Sequence, residues 1–128
     1  MAKILIIDDE PDVVRLLAKT LAVRGHTVVT ARDGAEALRR AGDDVPDLII
    51  VDRHLPKIDG NEVCRRLRLT PSTKAVPILM MTAAEVALED VTAAGAPDAF
   101  VLRPFLREIM ASNVERLLAQ RRPRRVTR

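Results

Sequence analysis

Asp8, Asp9, Asp52, Thr82 and Arg103 share one property: each stands at or just past the end of an apolar run. Ile4-Leu5-Ile6-Ile7 ends in Asp8-Asp9, and Leu48-Ile49-Ile50-Val51 ends in Asp52. Ile78-Leu79-Met80-Met81 ends in Thr82, and Ala99-Phe100-Val101-Leu102 ends in Arg103. If these runs are strands of one parallel sheet, their carboxyl ends lie on a single edge, where open α/β sheets hold ligands. Three carboxylates crowded together repel one another and do not all stay ionised without a cation. Mg²⁺ suits such a site: it takes oxygen ligands, keeps several waters and completes its shell with phosphate oxygens. With that repulsion offset, Asp52 is a nucleophile toward phosphorus, and the product is an acyl phosphate. The Thr82 hydroxyl and the Arg103 guanidinium then hydrogen-bond phosphoryl oxygens. Each residue alone has a plainer reading. Asp8-Asp9-Glu10 suits the positive end of a helix, and Thr82 suits an N-cap. Their joint occurrence at successive run ends favours the chemistry.

The elements that must position these residues alternate along the chain. Lys3–Ile7 reads as a strand, and Pro11 suits the first position of a helix, where its missing N–H is no loss. Val14, Leu17 and Leu21 follow at helical spacing with Val13 beside them, and Gly25 is a helix stop. His26–Thr30 is a short strand. Asp33-Gly34 leads into a helix expected to carry Ala35, Leu38 and Ala41 on one face. Pro46-Asp47 opens the strand that ends at Asp52, and Leu55-Pro56 and Asp59-Gly60 turn the chain back. Val63 and Leu67 mark a third helix, broken at Thr70-Pro71-Ser72. A strand over Val76–Met81, an alanine-rich helix from about Ala84 to Ala94 and a strand over Ala99–Leu102 follow. The last helix runs from Phe105, with Leu106, Ile109, Met110, Val114, Leu117 and Leu118 expected on its apolar side. Strands that are apolar throughout, not alternating, belong to a sheet covered on both faces. Five strands and five helices in alternation therefore predict a doubly wound α/β fold with a parallel sheet.

Composition bounds the rest. With 128 residues, 48% hydrophobic and 30% charged, the chain is one globular domain and not a disordered polymer. The net charge of +3 belongs to a tail: residues 121–128 hold five arginines and no acid, and without them 16 basic residues face 18 acidic ones. We expect a domain over 1–120 and a basic tail or linker start over 121–128. A nucleic-acid-binding face within the domain is not expected, since aromatics for stacking are scarce. There is no long apolar run and no signal pattern, so the expected location is cytoplasmic, with no membrane partner. The single cysteine, Cys64, reads as a small packed side chain. His26 has no second histidine or cysteine near it, which argues against a metal role.

These residues together resemble the receiver domain of two-component response regulators, over about residues 3 to 120. Asp8-Asp9 resembles the family's acidic pair, Asp52 its phospho-accepting aspartate, and Asp52-Arg53-His54-Leu55-Pro56 with Asp59-Gly60 the loop that follows. Thr82-Ala83 is similar to the switch Thr/Ser-Ala pair, and Phe100 to the aromatic switch residue. Gly95-Ala96, Phe100 and Arg103-Pro104-Phe105 resemble the segment leading into the last helix. The resemblance implies a flavodoxin-like sheet of order 2-1-3-4-5. It implies Mg²⁺ held by the Asp9 and Asp52 carboxylates and the His54 backbone carbonyl, with Asp8 acting through water. It also implies a histidine kinase or phosphotransfer protein as donor. On this reading Thr82 and Phe100 rearrange on phosphorylation and alter the face around the fourth helix, fifth strand and fifth helix. A downstream protein, an output domain missing from this chain or a second copy would read that change.

The chain departs from the family in three places. Arg103 stands where the family has lysine, and a planar fork of donors is not a conservative replacement for a point charge. Three outcomes are open: Arg103 binds the phosphoryl group bidentately, pairs with an acid, or frees the domain from phosphate control. In the last case the chain is a degenerate receiver acting as a phosphorylation-independent interaction module. The segment from Thr82 to Gly95 is one or two residues shorter than the resemblance implies, with Pro97 added after it. Phe100 lacks the hydroxyl of the commoner tyrosine. The resemblance further implies a cis Arg103–Pro104 bond, and for the exposed His54 a part in setting how fast the acyl phosphate hydrolyses. True enzymatic turnover of a separate substrate is not expected, because the length leaves no room for a cap. The expected chemistry is at most self-phosphorylation from small donors and autodephosphorylation. After Leu118 only about ten residues remain, which fits a stand-alone receiver or a fragment of a longer regulator.

Overall fold

Five short parallel strands form the centre of the computed structural model, which describes residues 1–83 and 95–120. They are β1 (Lys3–Ile7), β2 (Thr27–Ala31), β3 (Leu48–Asp52), β4 (Ile78–Thr82) and β5 (Ala99–Leu102), in the order β2-β1-β3-β4-β5. Four helices are described: α1 (Pro11–Ala22), α2 (Gly34–Asp43), α3 (Gly60–Leu69) and α4 (Arg107–Gln120). The alanine-rich helix expected over 84–94 and the tail over 121–128 lie outside the described residues. The doubly wound parallel sheet and its strand order are those expected.

The continuous apolar strands are explained by cover on both faces. Successive side chains of a strand point to opposite sides. Leu5, Ile7, Ile49, Val51, Ile78 and Met80 pack with Ala37 and Ala41 of α2 and Val63, Cys64 and Leu67 of α3. Ile4, Ile6, Leu48, Ile50, Leu79 and Met81 pack with Leu17 and Leu21 of α1 and Met110, Val114 and Leu117 of α4. Every residue of β3 is buried. Cys64 is wholly enclosed, and burial pushes its thiol up to about 12.

Local signals set the helix starts. Pro11 is the first residue of α1, while Asp33 and Asp59 cap α2 and α3 by accepting from Glu36 N at 2.8 Å and Glu62 N at 3.1 Å. Gly25 has φ +90° and closes the end of α1 through a bond to the Ala22 carbonyl at 2.9 Å. Several expectations are corrected. β2 starts at Thr27 because the His26 N–H closes back onto the Leu21 carbonyl of α1 at 3.3 Å, while its ring accepts from Ala2 N at 3.2 Å through Nδ1 and meets Glu115 at 2.9 Å through Nε2. β4 starts at Ile78 because the Val76 N–H closes a turn onto Thr73, and Pro77 has no N–H to give. In α2 the inward positions are Ala37 and Ala41, with Ala35 exposed and Leu38 partly buried. The last helix begins at Arg107, so Leu106 and Ile109 are not core residues: they are 67% and 50% exposed.

One side chain ties the far end of the sheet to α3. The Arg68 guanidinium donates to the carbonyls of Lys74, Val76 and Ala96 and to Asp98 Oδ2 at 2.7 Å. Asp98 Oδ2 also accepts from Ile78 N at 2.8 Å, which fixes the lead-in to β5 beside β4.

Candidate functional site

The sheet edge forms because backbone pairing continues one residue beyond β1, β3 and β5. Asp8 N donates to the Ala31 carbonyl at 3.1 Å, Arg53 N to Met81 at 2.9 Å, and Arg103 N to Thr82 at 2.8 Å. These bonds carry the polar residues that follow the apolar runs to one level. Behind them, Gly60 at the head of α3 lies so close to β3 that an added Cβ would meet the Asp52 carbonyl oxygen at 2.4 Å and Arg53 Cα at 2.7 Å. Gly60 N also donates to the Arg53 carbonyl at 2.8 Å. The intervening loop contains Lys57 at φ +68°, a left-handed position unusual for a residue with a side chain, and Ile58 N closes onto Pro56 at 2.8 Å.

The structure brings Asp8, Asp52 and Glu10 together: one carboxylate oxygen from each lies within 4.8 Å of the others. Asp52 is buried, with Oδ1 accepting from His54 N at 3.3 Å. Asp8 is fully buried, with Oδ1 accepting from Glu10 N at 2.9 Å. Its Oδ2 is buried and has no hydrogen-bond partner among the described residues. Burial is the main cause that raises the Asp8 carboxyl to about 6, with the charges of Asp52 and Glu10 adding to it. The bond from Glu10 N and the charge of Arg103 oppose that rise.

Arg103 reaches all three acids. Nη1 is 3.1 Å from Asp52 Oδ2 and 3.9 Å from Asp8 Oδ2, while Nη2 pairs with Glu10. The Arg103–Pro104 peptide is cis. Thr82 is fully buried at the end of β4, His54 is exposed, and Phe100 is partly buried against the core on the α3 side. Asp9 is exposed and outside the acid group. Glu10, which the sequence did not single out as a ligand, stands beside Asp8 and Asp52. An alternation signal was present: Asp8 and Glu10 are two apart, as side chains on one side of an extended segment are.

The chemistry of this group suits a hard divalent cation. Three acids converge, and one oxygen of the buried Asp8 has no hydrogen-bond partner among the described residues. Among the described residues, Asp8, Asp52 and Glu10 are the acids whose oxygens already converge where such an ion would sit.

Comparison with known proteins gives one consistent result. The family model for the response regulator receiver domain matches residues 4–115. The alkaline phosphatase synthesis transcriptional regulatory protein PhoP of Bacillus subtilis is 42% identical over 118 residues, which is 91% of this chain and 48% of that protein. The chain thus spans about half the length of that relative. The chemotaxis protein CheY4 of Vibrio cholerae superposes with a TM-score of 0.84 at 34% identity, covering 91% of this chain and 98% of the other. The receiver domain of a Pseudomonas aeruginosa sensor histidine kinase, solved with a magnesium ion coordinated in its active-site cleft, superposes with a TM-score of 0.84 at 25% identity. That match covers 93% of this chain and 98% of the other.

Proposed function

This chain belongs to the response regulator receiver domain family of two-component signalling, and we propose that within it Asp52 accepts a phosphoryl group and thereby switches a protein-interaction face. The observation that carries this reading is the buried Asp52 carboxylate at the end of β3, grouped with Asp8 and Glu10 around an oxygen that lacks a partner. The magnesium ion in the Pseudomonas aeruginosa receiver supports the same reading of the acids here. The Asp9 and Asp52 carboxylates and the His54 carbonyl, with Asp8 through water, would hold Mg²⁺ as the family pattern implies, and Glu10 stands close enough to Asp8 and Asp52 to join them. When bound, that ion supplies the positive charge that lets a carboxylate meet an anionic phosphoryl group.

The residues of the chain then have separate tasks. An Asp52 carboxylate oxygen attacks phosphorus, and the bond from phosphorus to the donor's histidine nitrogen breaks, with its electron pair staying on that nitrogen. Thr82 and Arg103 donate hydrogen bonds to phosphoryl oxygens, which holds the acyl phosphate once it has formed. Thr82 and Phe100 change position in response, and the surface around β5 and α4 presents the altered state to its reader. Attack of water on phosphorus later breaks the new P–O bond and returns the electron pair to Asp52, releasing inorganic phosphate. The donor is a histidine kinase or phosphotransfer protein. The reader is a downstream protein, an output domain or a second copy of the chain.

Intact-mass analysis after incubation with Mg²⁺ and a small acyl-phosphate donor tests the first step, with Asp52→Asn as control. The wild-type chain is expected to gain one phosphoryl group and the variant none. If the wild type gains no mass with the donor renewed, phosphate acceptance at Asp52 is wrong.

A further inference from the structure

We infer that Arg103 is the resident counter-cation of the acid cluster, and that its guanidinium and a divalent ion exclude one another from Asp52. This inference rests on the reading of Asp8 and Asp52 as cation ligands. Its ground is the position of one side chain. Arg103 comes from the end of β5, yet its guanidinium lies over the carboxylates of β1 and β3, three-quarters or more enclosed, with its side chain 20% exposed. One nitrogen faces Asp52 Oδ2 at 3.1 Å and Asp8 Oδ2 at 3.9 Å, while the other pairs with Glu10.

The fork geometry is what makes this possible. A guanidinium presents several N–H donors in one plane and can satisfy two carboxylates at once, whereas an ammonium is a single compact charge. Arg103 therefore bridges Asp52 and the more exposed Glu10, and the bridge spans the place where the three acids converge. The bridge has a cost that the structure also shows. It leaves Asp8 Oδ2 without a hydrogen bond, because Nη1 stops 3.9 Å short. The cluster thus has one cation for three acids and is incompletely satisfied in bonding. A small ion meets oxygen donors directly, and it can enter only as the guanidinium leaves Asp52, since two cations at this separation repel strongly in a site shielded from water. The metal-free chain is held in a closed form, and loading carries an energetic penalty set by Arg103.

Magnesium titration of the full 128-residue chain by calorimetry tests the idea, with the ¹⁵N-labelled protein reporting the Arg103 Nε–H signal. Arg103→Gln removes the charge, Arg103→Lys keeps a charge that cannot span both acids, and Asp52→Asn removes a ligand. Arg103→Gln is expected to bind Mg²⁺ about tenfold more tightly or better, as the removal of a unit charge a few ångströms away requires. Arg103→Lys should fall between it and the wild type, and the wild-type Nε–H signal should move in step with magnesium saturation. An affinity of Arg103→Gln equal to or below that of the wild type overturns the inference while leaving Asp52 as a ligand. Should Arg103→Gln fail to melt cooperatively, Arg103→Lys decides by the same criterion. Absence of magnesium binding in every variant instead removes the cation reading itself, and the inference with it.

Discussion

Asp8 is the residue most at odds with its surroundings. It is fully buried, two acids face it, and one of its oxygens lacks a hydrogen bond. The sign of its effect on stability follows from its titration. Its carboxyl titrates at about 6 in the folded chain against an ordinary 3.8. Below the lower value both states are protonated and folding loses nothing. Between the two values the unfolded chain gives up its proton while the folded chain keeps it, so stability falls as pH rises, and above the folded value the loss is complete. In chelator-treated buffer Asp8→Asn should therefore be more stable than wild type at pH 7 by about 1–3 kcal/mol. The two should converge as pH falls through the range below about 4, and chemical denaturation along a pH series reads this directly. A constant difference across the series would show that Asp8 does not titrate as described. Asp8 and Asp52 were legible because a polar residue at the end of an apolar run is visible in one dimension. The approach of Glu10 to that group was less so, since it depends on how the chain leaves β1. Pairing of Arg103 with an acid was one of the outcomes left open, but its partner Glu10, 93 positions away, had no signal in the sequence.

Among the elements, α3 has the strictest placement. The Asp59-Gly60 pair was readable as a turn, but the reason for glycine lies in the tertiary packing: its Cα faces the backbone of Asp52 and Arg53. A methyl group there has no flexible neighbour to displace, so the helix head or the end of β3 must move. Gly60→Ala should cost about 1–3 kcal/mol, the usual range for overpacking. It should also slow phosphoryl uptake more than Gly42→Ala, whose added Cβ meets nothing within 4 Å. Denaturant midpoints and uptake rates for the pair check both effects, and equal behaviour of the two variants would remove the packing argument. The last helix shows where periodicity misleads. Leu106 and Ile109 fit an apolar stripe by spacing, yet the helix begins only at Arg107 and buries Met110, Val114 and Leu117. Spacing defines a face, but the angle at which a helix meets the sheet decides how far along that face burial extends.

The molecule as a whole follows the rule that a parallel sheet is covered on both sides. This is why solid aliphatic runs sufficed to read its architecture, and why strand ends were off by one or two residues where His26 and Pro77 had other bonds to make or lacked an N–H. Burial is graded across the sheet: β3 is enclosed throughout, while β5 at the edge has Ala99 and Phe100 partly buried and Leu102 exposed. Native-state hydrogen exchange should follow that grading, with Ile6 and Ile50 exchanging only through global unfolding and β5 amides through smaller openings. Equal protection of β3 and β5 would show that the edge is held as firmly as the centre. The order of the strands has one more consequence. β1 pairs with β3 as well as with β2, so the long crossover through β2 and α2 must close before Asp8 and Asp52 can meet. Contacts between distant segments form slowly compared with local ones. The acid group is therefore complete only once β1 and β3 have paired. A copy in which those two strands have not met, however helical, lacks the joined acids on which the proposed chemistry depends.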